Sequence, residues 1–372
     1  MDEIDSYSSA FLVASYLTDP VCKAHENFRR LHVVDALNPT ASKVTNLVRK
    51  IFLWMAVIGY ATVALFTTLP GIALRGLAAH WQKVPYLSVK GEGSKKLSED
   101  RTFSLLSWNI CCVGAGYAIT DGGVVPWRDR IDAVADQMIE KNADVNCLYE
   151  TFDTQSAFIL TEKLKENGYS HFYYDIGPKA MGVSSGIMIA SKYEIKDPEF
   201  TLFPQDTLVG RTKHAAKGVF GFDLVSEGAS FARVFSTHLQ HSEEPAFPTV
   251  EEGEGRRKQM EIILSKVDQV RDRCLVVTGD LNLDDDEYAA SAWQGRFDRG
   301  APFEGKTWGG DQFCVGLVGK RISRALNLDH TMILRGTARA IATDLVKTGY
   351  DPTQFKRGAL SDHEGLYSRI QL

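Results

Sequence analysis

Six short stretches of this chain end in side chains able to hold an anionic oxygen or move a proton. "SWN" closes on Asn109, "LYE" on Glu150, "STH" on His238, "GDLN" on Asp280 and Asn282, "LDH" on Asp329 and His330, and "SDH" on Asp362 and His363. Carboxylates bind cations, neutral amides and imidazoles approach a phosphate without adding repulsion, and an imidazole can carry a proton near neutral pH. Oxygen donors and imidazoles with no cysteine among them favour a hard cation such as Mg²⁺, with Mn²⁺ as its substitute, handling phosphate oxygens. Each stretch alone also has an ordinary structural reading. Asn109 fits a turn, Glu150 a solvated strand end, "GDLN" an Asx turn, "SDH" a surface turn and His238 a hydrogen-bonded strand end. The chemical reading rests on their joint order.

The elements that must position these residues are legible around them. Apolar runs in "FSLLSWN", "ADVNCLYE", "RVFSTH", "CLVVTGDLN", "LDHTMIL" and "GLYSRIQL" predict strands, most of them reaching their polar residue at one end. Between them, Ile131, Val134, Met138 and Ile139, and again Met260, Ile263, Leu264 and Val267, recur near helical spacing. The pattern predicts a mixed α and β domain over residues 102–372. Polar stretches at 241–255 and 284–310 are expected to be rim loops, where sites tend to be built.

The rest of the chain has a different character. The 372 residues carry a net charge of −5, with 44% hydrophobic and 24% charged residues, an ordinary globular composition. Through residue 100 there are 11 Lys and Arg against 9 Asp and Glu, leaving 31 against 38 beyond it. The larger part is therefore acidic, which opposes extended tracking of a nucleic-acid backbone. None of the six cysteines forms a CxxC pair, so a zinc site is not expected.

Ile51–Leu74 runs 24 residues without a charge. Roughly 20 apolar residues cross a bilayer as a helix, and this run starts too deep in the chain for a cleaved signal peptide. Pro70 permits a segment that enters one leaflet and returns, and a buried core helix is the soluble alternative. Lys43, Arg49 and Lys50 before the run and Arg75, Lys83, Lys90, Lys95 and Lys96 after it give no orientation. The expected organisation is a region of unknown role at 1–48, a membrane segment at 49–80, a polar linker at 81–101 and a catalytic domain at 102–372.

Taken together, "SWN", "LYE", "THLQ" (237–240), "GDLN", "LDH" and "SDH" resemble the ordered motifs of the endonuclease/exonuclease/phosphatase superfamily. Within it, "THLQ", "SSGIMIASKYEI", the Lys217–Gly218 pair and "GYDPTQFKRGALSDHEGL" resemble the neutral sphingomyelinase branch. The hydrophobic run followed by "HWQKVPYLSVKG" is similar to the amino-terminal membrane region of membrane-bound animal sphingomyelinases. Tyr149 stands where that pattern usually has Gln, and His330 where Tyr is common.

The resemblance implies an α/β (α+β) fold, a four-layer αββα sandwich with its site at one rim, and Mg²⁺-dependent cleavage of phosphate esters. It makes Glu150 the main metal ligand, with Asn109 assisting and Asp362 supporting the metal–water network. It makes His363 the general base, Asp329 its orienting partner and Asp280 the group that positions the nucleophile. Asn282 and His238 then donate to the phosphate, and Lys217 is a further phosphate contact. The expected substrate is a phospholipid at a membrane, sphingomyelin first, cut in the manner of a phospholipase C. A nuclease or phosphoinositide phosphatase of the same superfamily, and a membrane-tethered binding module without activity, are the competing readings.

Overall fold

Phe103 and Leu105 project to one side of their strand and Leu106 and Trp108 to the other, and this split recurs along the central strands. The computed structural model describes residues 6–38, 40–82, 84–91, 93–113, 126–177, 183–270, 272–309, 325–348 and 360–372. The chain opens with two long helices, α1 (Ser6–Leu37) and α2 (Lys43–Trp81). Then come β1 (Leu87–Lys90), β2 (Thr102–Asn109), α3 (Ile131–Lys141), β3 (Val145–Tyr149), α4 (Thr154–Lys165), β4 (His171–Tyr174) and β5 (Met188–Ser191). The second half holds β6 (Glu194–Leu202), β7 (Gly218–Ser226), β8 (Ala229–His238), α5 (Val250–Val267) and β9 (Cys274–Asp280). It closes with α6 (Asp285–Ala290), β10 (Phe297–Arg299), β11 (Asp329–Leu334), β12 (Arg339–Val346) and β13 (Gly365–Gln371).

Two mixed sheets form, in the orders β1-β4-β5-β3-β2-β13-β12 and β10-β11-β9-β8-β7-β6. The apolar residues of alternating strand positions fall into separate cores. Phe103, Leu105, Val145, Ile189, Phe222, Val234 and Val276 share one core drawn from both sheets. Leu106 and Trp108 pack instead with Val134 and Met138 of α3 and Leu160 of α4, and Leu275 and Val277 with Met260 and Ile263 of α5. Period-two alternation on strands and 3.6-residue periodicity on helices produce this division directly.

Strand direction then decides where the functional residues go. The β2–β3 and β8–β9 pairs are parallel, whereas β13 runs antiparallel to β2, β11 to β9 and β7 to β8. The ends of β2, β3, β8 and β9 therefore open at the same rims as the beginnings of β13, β11 and β7. Every predicted site residue lies at one of these strand ends.

Three expectations change. The helix that carries Met260, Ile263, Leu264 and Val267 begins at Val250, within the stretch expected to be a loop at 241–255, because Thr249 accepts from the Glu252 amide while the Glu252 carboxylate accepts from the Thr249 amide, a capping box. The stretch expected to be a linker contributes β1, paired in register with β4, and Lys95 bonds the buried Asp144, so it is fastened to the sheet. The buried-core alternative for 51–74 does not hold. None of the most apolar window of α2, of mean hydropathy 1.8, is buried. By length and composition α2 is able to cross a membrane. The "GYDPTQFKRGA" part of the terminal motif, and Lys83 and Cys314, lie outside the described residues.

Candidate active site

The alternation that sends apolar side chains between the sheets also delivers the polar ones. Asn109 has the parity of Phe103 and Leu105, His238 that of Ala232 and Val234, Asp280 that of Cys274 and Val276, and Asp329 that of Ile333. Each strand thus carries its last inward position to the mouth of the inter-sheet core. Register places Asp280 opposite both His238 and Asp329. Glu150 and Asn282 follow their strands in left-handed backbone, at φ 60° and 49°. That conformation costs a non-glycine residue about 1 kcal/mol or more and turns the side chain out of the pleat. The Asn282 amide donates to Asp280 Oδ1 at 3.1 Å, which stabilises the turn.

His363 Nδ1 donates to Asp329 Oδ2 at 2.8 Å, and its Nε2 lies 3.7 Å from Asp280 Oδ2. His238 Nε2 is 3.4 Å from the same oxygen. Asn109 Nδ2 bridges Glu150 Oε1 at 3.1 Å and Asp280 Oδ2 at 2.9 Å. Its Oδ1 accepts from the Cys111 amide at 3.0 Å, so Asn109 meets the carboxylates through its amide nitrogen. Lys217 is buried just before β7. Asp362 is half-buried and takes a 3.4 Å hydrogen bond from Ser361 Oγ.

Burial and charge set the protonation of this cluster. Burial alone depresses the His363 imidazole, but Asp329 and Asp280 outweigh it and hold it well above its ordinary value. Burial, with Lys217 beside it, pushes His238 well below its usual value, so it is a neutral donor and acceptor. Burial lowers the Lys217 ammonium to about 7 against the pull of Glu150 and Asp280. Burial followed by repulsion from Asp362 raises Glu150 to about 7.

These residues fit a divalent cation. Asp329 Oδ1 is buried without a hydrogen-bond partner among the described residues. Ligand atoms of Asp280, Asp329 and His363 lie within 4.8 Å of one another. Four carboxylates, of Glu150, Asp280, Asp329 and Asp362, converge on one region, and burial with the charge of Asp362 outweighs Lys217 in holding Glu150 near 7, an excess of negative charge that a cation would offset. Asp329 Oδ2 is already committed to His363, so a cation within that trio competes with the pair, whereas Glu150 stands at the accessible edge.

Sequence reasoning missed the supports. Arg130 on the approach to α3 is buried and donates to Ile110 O at 2.6 Å and also to Cys111 O and Leu360 O. It ties the chain after Asn109 to the chain before Asp362. Thr307 Oγ1 accepts from the amides of Leu328 and Asp329 at 2.9 and 3.1 Å. The two unusual positions are supports as well. Tyr149 bridges the sheets through a 3.0 Å bond with Ser236, and His330 Nε2 meets Leu283 O at 2.7 Å behind the "GDLN" turn. Only the apolar company of Arg130 in "WRDRIDAV" hinted at its burial.

Gln240, the residue that marked the sphingomyelinase resemblance, is committed elsewhere. Its Oε1 accepts from the Val209 amide at 2.8 Å, and its Nε2 donates to Val209 O, Thr212 Oγ1 and His241 O at 3.3, 3.1 and 2.6 Å. It fastens the 209–212 segment beside the rim.

Comparison with known proteins agrees with this fold. A mutant of beta toxin from Staphylococcus aureus, solved with bound magnesium ions, is 18% identical with a TM-score of 0.58, covering 72% of this chain and 98% of that one. Sphingomyelinase C from Streptomyces griseocarneus is 18% identical with a TM-score of 0.56, covering 72% of this chain and 99% of its own. A truncated TDP2 from Caenorhabditis elegans is 19% identical with a TM-score of 0.53, covering 73% and 98%. At these identities the likeness is one of fold. No curated protein matches the chain. The model of the Endonuclease/Exonuclease/phosphatase family matches residues 106–363, which run from β2 to the His363 that precedes β13. That is well over half of the chain, and the protein therefore belongs to the Endonuclease/Exonuclease/phosphatase family, whose members are metal-dependent phosphoric ester hydrolases.

Proposed function

We propose that this enzyme is a membrane-associated phosphodiesterase that hydrolyses sphingomyelin or a related phospholipid and releases its phosphorylated headgroup. The observation that carries the lipid reading is the union, in one chain, of the His363–Asp329 rim site with helix α2, whose most apolar window is not buried. A sphingomyelinase among proteins of the same fold supports it. An acidic catalytic part opposes DNA as the substrate.

In the proposed mechanism the phosphate enters at the rim between Glu150, Lys217, His238 and Asn282. Asn282 Nδ2 and His238 Nδ1, both buried without a hydrogen-bond partner among the described residues, are its donors or proton-sharing contacts. Lys217 supplies positive charge from below. A water held by Asp280 and His363 Nε2, which stand 3.7 Å apart, attacks phosphorus. His363 takes the proton of that water as the bond from phosphorus to the lipid oxygen breaks, the departing oxygen is protonated from solvent, and Asp329 holds the ring by Nδ1 and stabilises the imidazolium that forms. Glu150 is the principal residue for a divalent cation, Mg²⁺ with Mn²⁺ as substitute, assisted by Asp362 and by Asn109. When bound, such an ion neutralises charge on the phosphoryl oxygens.

The test is an assay of the purified full chain with Mg²⁺ against sphingomyelin vesicles, phosphoinositide vesicles and plasmid DNA, beside His363→Ala. Phosphocholine release abolished in His363→Ala supports the proposal. Phosphate release from phosphoinositides, or DNA nicking alone, replaces it with one of the competing activities.

A further inference from the structure

The helix α2 is long enough to span a bilayer, but its companion α1 fixes how it can meet one. The two helices run antiparallel. Asp35 pairs with Lys50 at 2.7 Å, Phe28 meets Trp54 edge-on at 6.2 Å, Lys23 lies over Tyr60 at 5.7 Å, and Arg75 lies over Phe11 at 5.9 Å. At the tight crossing, a Cβ on Gly71 would lie 2.8 Å from Thr18. The apolar run Ile51–Leu74 is therefore level with α1 from about Phe11 to Asp35.

That part of α1 is bolted to the catalytic domain by a polar stripe. Ser15, Asp19, Glu26 and Arg30 recur at helical spacing. Ser15 Oγ donates to Asp153 Oδ1 at 2.9 Å and accepts from Gln155 Nε2 at 3.2 Å. Arg128 donates to Glu26 at 3.0 Å and also to Asp19, and Arg30 pairs with Asp129. Asp19 and Glu26 are buried. From Ser15 to Arg30 the docked stripe extends about 22 Å, most of the thickness of a hydrocarbon core.

An α2 standing upright across a bilayer would carry Asp19, Glu26, Arg30, Arg128 and Asp129 into hydrocarbon, because all are held at the level of its apolar middle. Charged groups at that depth are strongly disfavoured. Laid parallel to the surface, the same hairpin keeps these groups on the domain side and gives lipid the other. Phe52, Met55, Leu65, Phe66 and Leu69 of α2 are exposed, as are Tyr16 and Phe28 of α1. Lys43 and Arg49, exposed at the start of α2, suit anionic headgroups. A protein partner would be expected to meet a polar rim, and a run of 24 residues without a charge offers none over its length.

We infer that the α1–α2 hairpin is an in-plane anchor for one lipid leaflet, which leaves both ends of α2 on the same side of the membrane as the catalytic domain. The docking residues also place the site. Asp153 stands three positions after Glu150, and Arg128 two before Arg130, so the anchor grips the two short segments that support the rim. The inference concerns attachment and holds whichever ester is cut.

The test uses the full chain synthesised with sealed microsomes, in Thr40→Cys and His80→Cys versions, and an impermeant maleimide. Labelling above that of the parent is read before and after the vesicles are opened. Both positions labelled on the outside, with the membranes carrying the protein through flotation, is the expected result. One position labelled outside and the other only after opening means a spanning helix and overturns the inference. Protein that fails to float, or that forms a soluble dimer, overturns it as well. A Phe52→Glu/Leu65→Glu/Phe66→Glu chain should lose at least tenfold in bound fraction on phosphatidylcholine/phosphatidylserine vesicles. Its rate on a water-soluble phosphodiester should match the parent, and an unchanged bound fraction overturns the inference.

Discussion

His363 and Asp329 meet at 2.8 Å although they belong to different sheets, Asp329 beginning β11 and His363 standing just ahead of β13. The pair is an inter-sheet bond, and it forms only if the shared core sets the distance between the layers. Tyr149 and Ser236 make a second such bond at 3.0 Å. The chemistry of the rim therefore depends on the packing behind it.

Removing the base isolates its contribution. Under the proposed mechanism His363→Ala should reduce kcat by about 10²- to 10⁴-fold, the usual worth of positioned acid–base assistance, and should also lower the melting temperature, because the buried Asp329 loses its partner across the sheets. Steady-state kinetics beside a thermal melt provide the check. Undiminished turnover would remove His363 from the mechanism.

The pH profile follows from the same charges. Asp329 and Asp280 raise His363 above its ordinary value, and only the neutral imidazole accepts a proton, so the rate should climb with pH through that raised value. Asp329→Asn removes one of the charges that raise it. The acid limb of kcat/KM should then move to lower pH while the plateau falls. A limb that stays in place would show that another group controls it.

Cation binding should appear without any turnover. A ligand that binds only the folded state at 100 times its Kd stabilises by about 2.7 kcal/mol. Millimolar Mg²⁺ is expected to raise the melting temperature of the parent, and the rise should shrink or vanish in Glu150→Gln. An equal rise in both proteins would move the cation away from Glu150, with the Asp280, Asp329 and His363 trio as the next place to look.

The anchor carries a pH dependence of its own. Arg128 faces the carboxylates of Asp19, Glu26 and Asp153, and burial raises Glu26 to about 7. The folded protein then binds more protons at Glu26 than the unfolded chain between about pH 4.5 and 7, so this residue's contribution to stability falls as pH rises across that window. Glu26→Gln keeps the proton-like state at every pH. It should gain stability relative to the parent at pH 8 and little at pH 5, read as the difference between the two melts.

The site was more legible than the scaffold that holds it. Asn109, Glu150, His238, Asp280 and Asp329 could be read because each ends or begins an apolar run whose period-two pattern survives in the sequence. The supports carry no such signature. Arg130 contacts three carbonyls in two segments some 250 residues apart, at Ile110–Cys111 and Leu360, and Thr307 reaches the amides of residues 328 and 329. Such contacts depend on tertiary closure, which a local pattern does not encode. The role of α1 was hidden for a related reason. Its stripe at Ser15, Asp19, Glu26 and Arg30 looks like a solvated helix face until Arg128, Asp129 and Asp153 stand opposite it.

Gln240 separates a positioning residue from a chemical one. Its side-chain amide makes four hydrogen bonds, all to Val209, Thr212 and His241, and none to His238, Asp280 or His363. Gln240→Leu leaves the Val209 amide and several carbonyl and hydroxyl groups without their partner, at a cost of about 1–3 kcal/mol for a buried group so deprived. Because the 209–212 segment leads into Lys217 at the rim, its displacement should weaken substrate capture and raise KM more than it lowers kcat. His238→Ala, two residues earlier and facing Asp280, should do the reverse and act mainly on kcat. Parallel kinetics and melts of the two variants decide the matter. A Gln240→Leu protein that melts like the parent but has lost kcat would place the amide in the reaction itself.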